Sequence, residues 1–167
     1  SMPLYQRESI SSTNDFLFIG RLREKSEIIR LAQLFSILHE DYKDMRLRIV
    51  GDGPYLSELT KLGYRNVILH GSVFDSKDIA DIAKSCRFGI YAGSAGLSIL
   101  HMFSLGLPVI ADSRNFIHQG PEIYNLRDNF NGIRFGGDLT LESVITRACE
   151  MSDAEYVRLS KNALSTW

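Results

Sequence analysis

The residues able to do chemistry fall in two short runs. Tyr91 to Asp112 reads YAGSAGLSILHMFSLGLPVIAD. Within it Ala92, Gly93, Ser94, Ala95 and Gly96 carry almost no side-chain bulk. They lead into Leu97, Leu100, Phe103 and Leu105, which recur at helical spacing. A small-residue loop entering a helix leaves backbone N–H groups facing outward, with the positive end of the helix dipole behind them. That arrangement suits phosphate. A packed β–α–β corner without ligand fits the same letters, although so many small residues in a row exceed what a turn needs. The second run, Gly20-Arg21-Leu22-Arg23-Glu24-Lys25, follows an apolar strand and offers cations. Arg21 and Lys25 facing a helix start would complement a diphosphate. The alternative is a solvated pair of cations at a helix entry.

These groups need elements to hold them together. Phe16–Ile19, Met45–Val50, Val67–Leu69, Phe88–Tyr91, Leu107–Ala111 and Ile133–Phe135 read as six short strands. Helical patterns lie between and after them. Ser26 is expected to cap a helix from Glu27 to His39. Pro54 is expected at the first position of a helix ending near Leu62. Asp75 with Asp78 starts another to Ser85. Gly106 stops the central helix. Pro121–Leu126 forms a short helical turn, and Thr140–Met151 and Asp153–Ala163 close the chain as amphipathic helices. The alternation predicts an α/β fold: a Rossmann-like, doubly wound parallel sheet of about six strands with helices on both faces, plus C-terminal helices. The expected order is 3-2-1-4-5-6. Strands 1 and 4 are then neighbours at the point where the winding reverses, and ligands bind outside the carboxyl ends of strands there.

Bulk properties narrow the partners. The chain has 167 residues, 44% of them hydrophobic, and a formal net charge of −1, so it can bury one core and shows no electrostatic footprint for nucleic acid. Cys86 and Cys149 sit in apolar patterns and read as reduced thiols of a cytoplasmic protein. The four histidines show no metal-ligand spacing. Ser1-Met2 reads as the scar of a cleaved tag. The division expected is a tag remnant and linker over 1–14, a donor-binding domain over 15–152 and a C-terminal helix over 153–167. Gly20-Arg21-Leu22 fails the dinucleotide fingerprint, and Gly51-Asp52-Gly53 has Leu56 where the third glycine belongs. No GxxxxGK[ST] loop is present.

The order of motifs resembles the carboxyl-terminal domain of the two-Rossmann-domain (GT-B) retaining glycosyltransferases, family four in particular. Gly20-Arg21-Leu22 with Lys25, Ile49-Val50-Gly51-Asp52-Gly53-Pro54, Val67 with Gly71, Gly96-Leu97, Gly106-Leu107-Pro108-Val109-Ile110-Ala111, Pro121-Glu122 and Asn131-Gly132 carry the likeness over residues 15 to 150. It is nearest to transferases of bacterial surface polysaccharides such as O-antigen and capsule. The resemblance implies that this domain binds a nucleotide-diphosphate sugar, UDP-sugar first, without a metal or other cofactor. The sugar would pass with retention to a glycan or lipid-linked acceptor on a missing N-terminal domain, at the inner face of the cytoplasmic membrane. Arg21 and Lys25 would neutralise the leaving diphosphate. Gly20 and the backbone of Ser94, Ala95, Gly96, Leu97 and Ser98 would hold it. The base would lie along Gly71, Val73 and Phe74. This chain alone is expected to bind nucleotide and transfer no sugar.

One departure stands out. The family places two glutamates eight positions apart where this chain has Gly93 and His101. His101 remains a candidate for a ribose hydroxyl. Asp112 and Glu122 are candidates for the missing acid, with His118 behind them. The loss leaves a second reading open, a degenerate nucleotide-binding or partner-docking module. A flavodoxin-like interaction domain is a third, and it lacks the acidic cluster expected after strand 1.

Overall fold

The computed structural model describes residues 14–95, 98–112 and 121–167, apart from the side chains at 121 and 122. Among the described residues six parallel strands form one sheet: β1 (Asn14–Ile19), β2 (Met45–Val50), β3 (Val67–Gly71), β4 (Cys86–Ile90), β5 (Val109–Asp112) and β6 (Gly132–Phe135). Their order is β3-β2-β1-β4-β5-β6, as the alternation of elements predicts. The helices that accompany them are α1 (Ile28–Leu38), α2 (Leu56–Leu62), α3 (Ser76–Lys84), α4 (Ser98–Ser104), α5 (Leu141–Glu150) and α6 (Asp153–Thr166). Short 3-10 turns occupy Glu24–Ser26 and Pro121–Asn125.

The core is threaded by aromatic rings. Phe16 of β1 meets Phe35 of α1 edge-on at 5.1 Å and stacks on Phe88 of β4 at 5.8 Å. Phe88 in turn meets the edge of Tyr156 of α6 at 5.4 Å. Each offset or edge-on pair adds about 1 kcal/mol to the burial of its area. The opposite face of β1 carries Asp15, fully buried, because side chains alternate along a strand. Arg46 Nε and Arg48 Nε donate to its two oxygens at 3.0 and 2.8 Å, so the buried charge is paired on both sides.

Local details differ from the sequence reading where side chains found other partners. β1 starts at Asn14, two residues ahead of its apolar run, since Asp15 is held by the two arginines. Ser26 does not cap α1. Its hydroxyl turns back to the Arg23 carbonyl, and Glu27 takes the N-cap position with left-handed φ 51 and no side-chain cap. Pro54 lies in a turn ahead of α2, whose N-cap is Tyr55. β4 ends at Ile90 and leaves Tyr91 outside the strand, while Leu107 and Pro108 precede β5 rather than open it. Asp75 caps α3 by accepting from the Lys77 amide at 2.8 Å, and Gly106 ends α4 with φ 72, both as expected. α6 buries Tyr156, Leu159 and Ala163 against this same domain. Ser160 Oγ donates to the Gly106 carbonyl at 2.6 Å and fixes the helix beside the end of α4.

The glycine turn after β2 serves packing. Gly51 has φ 146, and a Cβ there would stand 1.8 Å from the Gly20 carbonyl oxygen. Leu22 N–H donates to the Asp52 carbonyl at 2.9 Å and Tyr55 N–H to the Leu22 carbonyl at 3.1 Å, so this turn supports the loop after β1. Gly51→Ala is therefore expected to cost about 3 kcal/mol or more in urea unfolding, from backbone strain plus the clash. A loss below about 0.5 kcal/mol, the range of an ordinary surface change, would contradict that close approach.

Candidate functional site

The site is built at the carboxyl ends of β1 and β4. After β1, Gly20 N–H donates to the Val50 carbonyl at 3.0 Å, holding the turn to β2. Leu22 is fully buried and anchors the loop, while Arg21, Arg23, Glu24 and Lys25 are exposed. Neither Arg21 nor Lys25 has an ion-pair partner among the described residues, whereas Arg30, Arg46, Arg48, Lys84, Arg87 and Arg147 all do. Two solvated cations thus stand at the edge where the strand order reverses.

The loop after β4 is tied to them directly. Ser94 N–H donates to the Lys25 carbonyl oxygen at 2.9 Å. Gly93 lies so close to the same carbonyl that a Cβ on it would come within 2.1 Å of the oxygen. In this backbone the Lys25 carbonyl occupies the space that any side chain at 93 would enter. The tie also engages the Ser94 amide inside the protein. The Ser98 amide has an internal acceptor too, the Ala95 carbonyl at 3.4 Å. Ala95 is 8% exposed, and Gly96 and Leu97 lie outside the described residues.

The other sequence candidates spread along the same edge of the sheet. Gly71 ends β3, two strands from β1, which at a strand spacing of about 4.8 Å sets it roughly 10 Å from the end of β1. Val73 is half-buried against the core, and the next residue, Phe74, is 92% exposed. His101 sits half-buried in α4, where desolvation lowers its pKa and keeps the imidazole neutral near pH 7. Asp112 is 7% exposed at the end of β5, paired in register with Phe135 of β6 and two strands from β1 on the other side. Glu122 falls in the 3-10 turn Pro121–Asn125, its side chain outside the described residues, as is all of His118. The structure therefore brings Gly20, Arg21, Lys25, Ser94 and Ala95 together, and sets Gly71, Val73 and Phe74 to one side and Asp112 to the other. Among the described residues no group of three or more His, Cys, Asp or Glu is placed to hold a metal ion. No described helix is long and apolar enough to cross a membrane.

Tyr91 is the residue that sequence reading passes over. It is buried to 1% directly after β4, and its hydroxyl donates to the Ile19 carbonyl at 3.3 Å. A signal exists in the letters, because a tyrosine ending an otherwise apolar strand needs a partner for its hydroxyl.

The family model described as glycosyl transferases group 1 matches residues 13–137. No curated protein matches in sequence. Among solved structures, a mutant of TarM from S. aureus, in complex with fondaparinux, alpha-GlcNAc-glycerol and UDP, superposes with a TM-score of 0.79 at 16% identity, over 99% of this chain and 34% of that one. The C-terminal domain of the glycosyl transferase group 1 protein LpcC from Francisella tularensis gives 0.71 at 15% identity, over 99% of this chain and 91% of that one. Anabaena HepE in complex with UDP gives 0.72 at 20%, over 92% and 43%. At these identities the likeness shows the fold. The chain spans about a third of the length of TarM.

The packing at Gly93 yields a direct check. Gly93→Ala is expected to break the Ser94–Lys25 bond, cost about 1–3 kcal/mol in urea unfolding and abolish hydrogen-exchange protection of the Ser94 amide. An alanine variant as stable as the parent, with that amide still protected, would contradict the close approach.

Proposed function

The chain belongs to the glycosyl transferases of group 1, and from that premise we propose that it is the donor-binding unit of a transferase using a nucleoside-diphosphate sugar, of the UDP-sugar class. The observation that carries the reading is the 2.9 Å bond from Ser94 N–H to the Lys25 carbonyl. It joins the loop bearing Arg21 and Lys25 to the loop entering α4, at the strand reversal where ligands of such sheets collect. The presence of UDP in the structures of TarM and HepE supports uridine as the nucleoside.

In this reading the diphosphate lies across Gly20, Arg21, Lys25 and the segment Ser94–Ser98. The base extends along Gly71, Val73 and Phe74. As the bond from the anomeric carbon to the diphosphate oxygen breaks, negative charge grows on the leaving group. Arg21 and Lys25 meet that charge in place, which is electrostatic stabilisation by groups already positioned. The charge is assigned to these side chains and not to a metal ion or other cofactor. His101, neutral, takes a ribose hydroxyl. Asp112 and Glu122 are the acids available near the sugar, since Gly93 has no room for one. The acceptor, a polysaccharide or lipid-linked oligosaccharide of the bacterial surface, would be met by a separate N-terminal domain at the inner face of the membrane. Transfer would proceed with retention, and this chain alone would bind the donor without transferring sugar.

The crowded Gly93 favours a second reading, a module that holds the nucleotide and does nothing to the sugar. Calorimetry separates the two, because only a donor site gains affinity when a sugar is added to UDP. For either reading, Arg21→Ala is expected to weaken UDP binding about tenfold or more, the effect of losing a charge-assisted hydrogen bond. Arg21 is exposed, so the unfolding free energy should stay within about 0.5 kcal/mol of the parent. Unchanged UDP affinity in that variant would overturn the assignment of the cations.

A further inference from the structure

His70 stands where β3 leaves the sheet, and the ladder is broken to place it. Leu69 pairs in register with Ile49 and Gly71 with Val50, so His70 is an extra residue between them, a β-bulge. A bulge re-aims the side chain it carries. Here the imidazole meets Arg48 of β2, with Nε2 3.3 Å from Nη1. A guanidinium only donates, so Nε2 must accept and the ring proton must sit on Nδ1. Arg48 is held in turn, because its Nε donates to the fully buried Asp15 at 2.8 Å. Burial, with the Arg48 charge beside it, lowers the His70 pKa and keeps the ring neutral near pH 7. Nδ1 has no partner among the described residues and is not one of the buried polar atoms left without one, so it meets solvent. The chain Asp15–Arg48–His70 therefore orders a neutral ring whose one N–H donor is used by no protein group.

We propose that His70 is a specificity residue of the donor site: its Nδ1–H donates to the O4 carbonyl of a uracil base. The inference rests on the donor-site reading above and adds to it the group that selects the base. With the diphosphate at the ends of β1 and β4, the nucleotide extends toward β3, the edge strand, and the end of the base farthest from the ribose comes to His70. In uracil that end is O4, an acceptor. In cytosine the same position carries an amino group, so two donors would face each other and neither would be satisfied. The Arg48 contact does not act by joining β2 to β3, which their own ladder already pairs. It sets which ring nitrogen carries the proton, and so which sign of hydrogen bond the base must offer.

Calorimetry with UDP, CDP and inorganic pyrophosphate, on the parent and on His70→Phe, tests this. Pyrophosphate reads the cations without the base. The parent is expected to bind UDP about tenfold or more tightly than CDP, the effect of one hydrogen bond made against one denied. His70→Phe keeps a ring and removes the donor. It is expected to weaken UDP about tenfold and to leave CDP and pyrophosphate within about twofold, so that the preference disappears. A parent that binds UDP and CDP equally would overturn the assignment while leaving the donor site standing. A phenylalanine variant that keeps the preference would overturn it too. So would one that loses UDP, CDP and pyrophosphate together, since that is what a merely structural residue would do. A parent that binds neither UDP nor pyrophosphate would bring down the donor-site reading itself. Should His70→Phe fail to fold, His70→Ala removes the same donor from this half-buried position and carries the same expectations.

Discussion

The contact between the Lys25 carbonyl and the loop at Gly93 and Ser94 governs the rest of the site. It exists because β1 and β4 are neighbours although about seventy residues separate them in the chain, a consequence of the sheet reversing its winding after β3. A right-handed run of β–α–β units builds outward from β1 to β3, crosses back through α3 and continues from β4 to β6. The two loops that start the two halves have nowhere to go but against each other. Close approach then demands a glycine at 93, because a Cβ there would stand 2.1 Å from the Lys25 carbonyl oxygen.

Stability is concentrated away from this edge. The aromatic chain Phe35–Phe16–Phe88–Tyr156 runs along one face of the sheet from α1 to α6. Asp15 locks β1 to β2 through Arg46 and Arg48. Arg87 lies over the Tyr156 ring at 4.7 Å and reaches Asp153 at 2.9 Å, so the last helix is riveted to the amino end of β4. With the amino edge fixed in this way, the carboxyl edge can carry loops with exposed cations, Arg21 and Lys25, without endangering the fold.

Much of the architecture is legible in the residues because β-strands and amphipathic helices leave periodic traces. Met45–Val50 alternates cleanly and forms β2 over the same span. Asp75 and Gly106 announce a helix start and a helix stop by their own chemistry. What is hidden depends on contacts far apart in sequence. Asp15 reads as the edge of a linker until two arginines from the next strand enclose it. Ser26 has the right side chain for an N-cap, yet the Arg23 carbonyl takes its hydroxyl first. For the site, the meeting of the Arg21 loop with the Ser94 loop follows from topology, but the use of the Ser94 amide to make that meeting does not. Gly93 reads as a lost acid in the sequence; the structure shows it as a steric requirement of the loop pair. Tyr91 is hidden because the acceptor of its hydroxyl, the Ile19 carbonyl, lies at the end of a strand about seventy residues earlier in the chain.

In the proposed donor site one anion is gripped by both loops at once. Backbone amide NMR of the isotope-labelled chain, titrated with UDP, tests this most directly. The prediction is that the amides of Arg21, Lys25, Ser94 and Ala95 shift together along a single saturating curve. Shifts confined to one loop, or saturation with both loops silent and the response elsewhere in the sheet, would contradict it.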